Sequence, residues 1–258
     1  MQLDLADKNV LISGSSRGIG KATARAFLAE GSRVTITGRD TESLARAQTE
    51  LAAEFGADHV MACEGDLTRP DVIGRVLGAV GERWGPLDCL VANIGSGRGM
   101  PGWDAGDESW ADSLAINLTG GVRLVTEVLR GMTERASGSV VMVASMTGVE
   151  GTPAPLAYSA AKAAVINYAA NLSRLVAPHN LRVNSVAPGN VLFEGGSWER
   201  HLAERREEVL RQIESEVPMR RFGRPEEIAD VIVFLSSSRA SFVTGTTVIV
   251  DGGQTRTI

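Results

Sequence analysis

Two side chains with useful proton chemistry, Tyr158 and Lys162, stand four residues apart in the stretch AYSAAKAA (157–164). On a helix they share one face, a turn apart. A phenol can give or take a proton, and a neighbouring ammonium favours its phenolate form, so the pair suits general acid–base catalysis. An isolated pair of this spacing is more often a surface tyrosine beside a solvated lysine, so the rest of the chain has to supply the context. A second stretch, SGSSRGIG (13–20), carries glycines at 14, 18 and 20. Where such a loop joins a strand to a helix, Gly14 permits a tight turn, and Gly18 and Gly20 let backbone approach a pyrophosphate. The helix N-terminus then offers unpaired N–H groups and a positive dipole.

The elements that must hold these groups show in the hydrophobic pattern. Segments 8–13, 32–37, 59–64, 87–92, 139–145, 181–187 and 246–250 read as strands. Most are near-continuously apolar, as in a parallel sheet covered on both faces. Helical patterns fill 18–30, 41–55, 70–84, 107–136, 158–178 and 225–237, the second opened by Asp40 and Thr41 as caps. This alternation predicts one domain over 1–258: a Rossmann-type, doubly wound α/β fold whose parallel sheet has about seven strands, with helices on both faces. Two segments break the rhythm. The 95–110 stretch is rich in glycine and tryptophan, and 188–221 ends in alternating charges. Both follow strand C-termini, where open α/β sheets bind ligands, so both are candidate substrate walls and 188–221 a candidate lid.

Composition narrows the function. A formal net charge of −5 argues against nucleic acid or an anionic membrane as the main partner. Cys63 and Cys89 sit in apolar stretches and read as buried thiols, forming neither a disulfide framework nor a metal site. No apolar run approaches the ~18 residues needed to cross a membrane. No leader pattern is visible, so a cytoplasmic protein is expected.

The spacing G-x-x-x-G-x-G, together with YSAAK (158–162), resembles the short-chain dehydrogenase/reductase family. ANIG (92–95), Asn117 in INLTG, Ser145 in VASMTG, PG (188–189) and DGG (251–253) fall in that family's order. The resemblance covers the whole chain and implies a catalytic set of Asn117, Ser145, Tyr158 and Lys162. In that reading a nicotinamide gives hydride to a ketone and Tyr158 protonates the developing alkoxide. Lys162 and the oxidised nicotinamide lower the phenol from its ordinary pKa of ~10, and Lys162 also holds the nicotinamide ribose. Ser145 bonds the carbonyl oxygen, and Asn117 holds a water that relays protons. The implied cofactor contacts are Gly14, Ser16, Arg17, Gly18, Ile19, Gly20, Arg39, Asp66, Leu67, Asn93, Gly95, Tyr158, Lys162, Pro188, Gly189 and Val191. Asp66 would meet the adenine amino group; its plainer role is a helix N-cap.

NADP(H) is the expected cofactor, with NAD(H) as the alternative. A carboxylate at the end of the second strand would bind the ribose 2′-OH of NAD, but Gly38 stands there. Arg39 and Arg17 suit a 2′-phosphate instead. Three positions depart from the family pattern: Ser13 for Thr, Ala92 for the first Asn of N-N-A-G, and Phe193 where a Thr often contacts the nicotinamide end. That phenyl ring could face substrate. The expected substrate is a small carbonyl or alcohol. The pattern points first to a 3-oxoacyl thioester on acyl carrier protein, although Ala136 and His179 occupy two places where basic residues would dock the carrier. The alternatives are a free alcohol, sugar or secondary metabolite, and, from another class, a silent NADP-binding regulator. Segments 107–136 and 158–178 are expected to pair across a two-fold axis in a homotetramer or homodimer.

Overall fold

The computed structural model describes residues 2–256. Its strands are β1 (Asn9–Ile12), β2 (Arg33–Gly38), β3 (Val60–Glu64), β4 (Cys89–Ala92), β5 (Gly138–Val143), β6 (Leu181–Pro188) and β7 (Thr247–Val250). They form one seven-stranded sheet in the order β3-β2-β1-β4-β5-β6-β7, with every adjacent pair parallel. The order reverses between β1 and β4, which opens a crevice at the strand C-termini.

Helices α1 (Gly18–Ala29), α2 (Thr41–Phe55), α3 (Pro70–Trp84), α4 (Asp107–Leu114), α5 (Gly120–Arg135), α6 (Leu156–Val176), α7 (Ser197–Glu216) and α8 (Pro225–Ser236) cover the sheet. The period of two along each strand divides the core into two layers. Leu11, Leu90 and Val140 pack with Ile73, Leu124 and Val165 of α3, α5 and α6. Val10, Ile12 and Val141 pack with Phe27, Leu44 and Ile228 of α1, α2 and α8. Of the two expected caps Asp40 is the one that holds: it precedes α2 and accepts from the Ser43 N–H at 2.9 Å, while Thr41 is the first helical residue.

Two expectations need correction. The single helix over 107–136 is α4 and α5 joined through a π turn at Ala115–Thr119. The extra residue per turn is accommodated without a break, and such turns gather at functional sites. Asp66 is not an N-cap, because α3 begins at Pro70 with Arg69 at the cap position. Its carboxylate instead accepts from the Thr68 N–H at 3.0 Å and the Thr68 hydroxyl at 2.8 Å.

Candidate active site

Tyr158 lies in the first turn of α6 and Lys162 in the next, so the sequence spacing becomes one helix face. Ser145 follows β5 and caps the short turn Met146–Gly148, accepting from the Thr147 N–H at 3.2 Å. Its side chain stands beside the Tyr158 phenol, close enough to lower that group's pKa. Lys162 is buried and donates from Nζ to the Val143 carbonyl at 2.8 Å. That ammonium lies 5.9 Å from the centre of the Tyr158 ring. Asn117, also buried, sits in the π turn; its Oδ1 accepts from the Ser96 N–H at 2.8 Å and its Nδ2 donates to the Ser113 carbonyl at 3.1 Å. It pins the loop after β4 beside Lys162.

Electrostatics at this centre are set by burial. Burial pushes the Tyr158 phenol above its ordinary value, and the Ser145 hydrogen bond pulls the other way. The expected lowering by Lys162 is absent from the protein alone: Ser145 is the one group that pulls the phenol down, and desolvation outweighs it. Desolvation also brings Lys162 down to about 8, against 10.5 for the free side chain. The folded state therefore binds fewer protons than the unfolded chain between these values, and stability rises with pH across that window. Below about pH 8 the buried ammonium is a net cost to the fold. Comparing wild type with Lys162→Met isolates this group: the wild type should gain stability relative to the variant as pH rises from 7 to 9.5. The full relief is on the order of 3 kcal/mol, or several degrees in Tm. Parallel thermal melts with a pH-independent difference would contradict it.

The glycine loop lies at the C-terminal end of β1. Gly14 and Gly18 take φ of +62° and +55°. A Cβ on Gly20 would strike the Gly14 carbonyl, so the tight turn needs glycine there. Helix α1 starts at Gly18 with no side-chain cap, leaving its first-turn N–H groups for a ligand. Ser13 Oγ accepts from the N–H groups of Asn93 and Ile94 at 2.8 and 3.1 Å. Asn93 Nδ2 donates to the carbonyls of Ser13 and Gly14 at 3.1 and 2.9 Å, so one Asn suffices to lace β1 to β4.

At the end of β2, Gly38 gives way to exposed Arg39. Asp40 is engaged by Ser43, and the hydroxyl and backbone hydrogen bonds from Ser43, followed by the charges of Arg46 and Arg17, hold its carboxyl below the usual range. It is thus committed as a helix cap near two guanidinium groups. Arg46, on the same face of α2 as Ser43, was missed in the sequence; its spacing of three from Ser43 was the available signal.

A single cleft of about 1570 Å³ joins these parts. It is lined by Gly14, Ser16, Arg17, Ile19, Arg39, Asp66, Leu67, Asn93, Gly95, Ser145, Tyr158, Lys162, Pro188, Gly189 and Val191. Three expected residues stand behind the lining. Gly18 lies beneath the Phe193 ring, Gly20 packs on Gly14, and Asn117 lies behind Gly95. The 188–221 segment forms one wall, but most of it is helix α7, bent at Arg205 (φ −148°, ψ 53°). Trp198 anchors its start, with ring centres 5.4 Å from Phe222 and 5.5 Å from His201. Gln254 and Arg256 complete the wall from the chain's end, a contribution no local motif announces.

The chain compares closely with known oxidoreductases. A family model described as enoyl-(acyl carrier protein) reductase matches residues 14–255. A glucose 1-dehydrogenase of Gluconobacter oxydans is 35% identical over 252 residues, covering 97% of this chain and 92% of the relative. A 3-oxoacyl-(acyl-carrier-protein) reductase of Vibrio cholerae is 36% identical over 252 residues, covering 98% and 99%. The crystal structure of L-sorbose reductase from Gluconobacter frateurii, complexed with NADPH and L-sorbose, superposes with a TM-score of 0.89 at 31% identity and full coverage of both chains.

Proposed function

Because the chain belongs to the short-chain dehydrogenase/reductase family, we propose that it interconverts a ketone and a secondary alcohol with NADP(H). The observation that carries this reading is Tyr158 beside Ser145, with buried Lys162 one turn away, in the cleft that also contains Arg17, Arg39 and Arg46. The uncapped α1 N-terminus and glycine cradle fit a dinucleotide pyrophosphate, and the arginines fit a 2′-phosphate.

NADPH bound there would supply the hydride. Ser145 donates a hydrogen bond to the substrate carbonyl oxygen and holds it against Tyr158. Tyr158 gives its hydroxyl proton to that oxygen as negative charge builds. The Lys162 ammonium, fixed by the Val143 carbonyl, stabilises the phenolate left behind. Asn117 keeps the 95–96 loop from displacing Lys162 and closes that side of the site.

A free, polar small molecule is the substrate class the wall favours. Glu150, His201, Gln212, Glu216, Gln254 and Arg256 line it. Gln212 and Gln254 both donate to Glu216, at 3.3 and 3.4 Å, and the Arg256 N–H donates to Glu150 at 2.9 Å. Such a wall suits hydroxyl-bearing substrates better than an acyl chain. The carrier-bound thioester is the second reading and rests on the Vibrio relative. Arg135, the cation nearest one expected docking place, donates to the carbonyls of Gly131 and Leu87. Assaying ketone and alcohol panels with each cofactor tests the proposal: polar ketones should turn over with NADPH. No turnover of any carbonyl would favour a silent NADP-binding regulator.

The enzyme is proposed to be cytoplasmic, in keeping with its two free buried thiols. Among the described residues no helix is long and apolar enough to cross a membrane. We also propose a homotetramer or homodimer. The π turn and the faces of α5 and α6 form a shallow groove around Leu118, Val122, Ala164 and Tyr168, suited to close helix packing. Light scattering should give a mass of at least twice the 27.3 kDa chain; a 27.3 kDa species alone at micromolar concentration would contradict it.

A further inference from the structure

The turn that leads into α7 folds back over the glycine loop. The Phe193 ring lies on Gly18, where a Cβ would stand 2.6 Å from ring carbon Cε2. At φ +55° Gly18 is also in a conformation that side chains rarely adopt, so loop geometry and ring contact both require glycine. The ring packs with Ile19 and Val191 against the apolar layer under α1, and it also lines the cleft. Two residues on, Gly195 meets Arg17, where a Cβ would stand 2.6 Å from Nη1. The turn is braced from within. The Gly196 N–H donates to the Phe193 carbonyl at 3.0 Å, and the Gly195 N–H donates to Glu199 of α7 at 2.7 Å. Phe193 and Gly195 thus contact successive residues of the phosphate loop, Gly18 and Arg17, from the opposite wall.

We propose that Phe193 is a positioning residue for the cofactor and not for the ketone. The 193–196 turn closes on the glycine loop through the ring, and a dinucleotide seated on that loop leaves only when the turn lifts. This rests on the NADP(H) reading above. Because the ring contact is with Gly18 and not with the ribose end, it acts on NADPH and NADH alike, whereas Arg39 and Arg17 act on NADPH alone. Loop-gated release of this kind often limits turnover.

The test is stopped-flow displacement of NADPH and of NADH, followed by nucleotide fluorescence, in wild type, Phe193→Ala and Phe193→Leu. Losing the ring's apolar contact should raise both dissociation rates about tenfold in Phe193→Ala. Phe193→Leu, which keeps part of that contact, should show a smaller rise in the same direction. The KM for the ketone should stay within about twofold of wild type. Thermal melts of both variants confirm that each is folded. Dissociation rates that are unchanged or slower, or a change confined to the ketone KM, overturn the proposal while leaving the NADP(H) reading intact. Failure of the wild type to bind either nucleotide overturns both.

Discussion

Tyr158→Phe should abolish nearly all turnover while leaving NADPH affinity close to wild type. The substitution removes one oxygen and keeps the ring that fills the first turn of α6. The Tyr158 hydroxyl stands beside Ser145 and is the group placed to protonate a carbonyl held by that serine. General acid catalysis contributes ~10²–10⁴-fold, and kcat should fall by that factor. Ketone binding should weaken only modestly, since Ser145 still holds the carbonyl oxygen. A loss in kcat with an unchanged nucleotide Kd separates proton donation from cofactor binding. A variant retaining most of the wild-type kcat would remove Tyr158 from the mechanism.

The second large effect concerns the end of β2. Arg39→Ala should lower affinity for NADPH about ten- to hundred-fold by removing a charge-assisted partner of the 2′-phosphate. Gly38→Asp adds a carboxylate that repels the phosphate and accepts from the 2′-OH of NADH. A Cβ at Gly38 would stand 3.3 Å from Ser16 Cβ and Oγ, so Ser16 must shift by a few tenths of an ångström. In the double variant the ratio of kcat/KM for NADPH over NADH should fall below one, chiefly through KM. Arg46 and Arg17 remain near Asp40, so residual NADPH use is expected. A wild type that already prefers NADH, or an Arg39→Ala variant with an unchanged ratio, would contradict this account of the ribose site.

These residues were legible because their signals are local. A glycine loop between strand and helix, or Tyr and Lys at a spacing of four, is fixed by backbone geometry within a few residues. The sheet was legible for a related reason, since strands buried on both faces write continuous apolar runs. What stayed hidden depends on contacts between distant segments. Nothing in INLTG marks a π turn; the Asn117 bond to Ser96, which anchors the 95–96 loop, joins residues from different elements. The approach of Gln254 to Glu216 is likewise tertiary. Phe193 showed in the sequence only as a departure from a pattern. Its position on Gly18 follows from where the 193–196 turn lands, which no local motif encodes. The raised pKa of Tyr158 was missed for the same reason: four-residue spacing brings a lysine near the phenol but says nothing of the burial that pushes its pKa up.

The central claim is that hydride passes from NADPH in this cleft to a ketone carbon while Tyr158 supplies the proton. The most direct measurement is a single turnover with excess wild-type enzyme and NADPH carrying deuterium at the reactive carbon of its nicotinamide, using a polar ketone and mass spectrometry of the alcohol formed. Transfer of that deuterium to the carbinol carbon is the predicted result. An alcohol bearing only solvent hydrogen at that carbon, or no alcohol across the polar ketones, would contradict it.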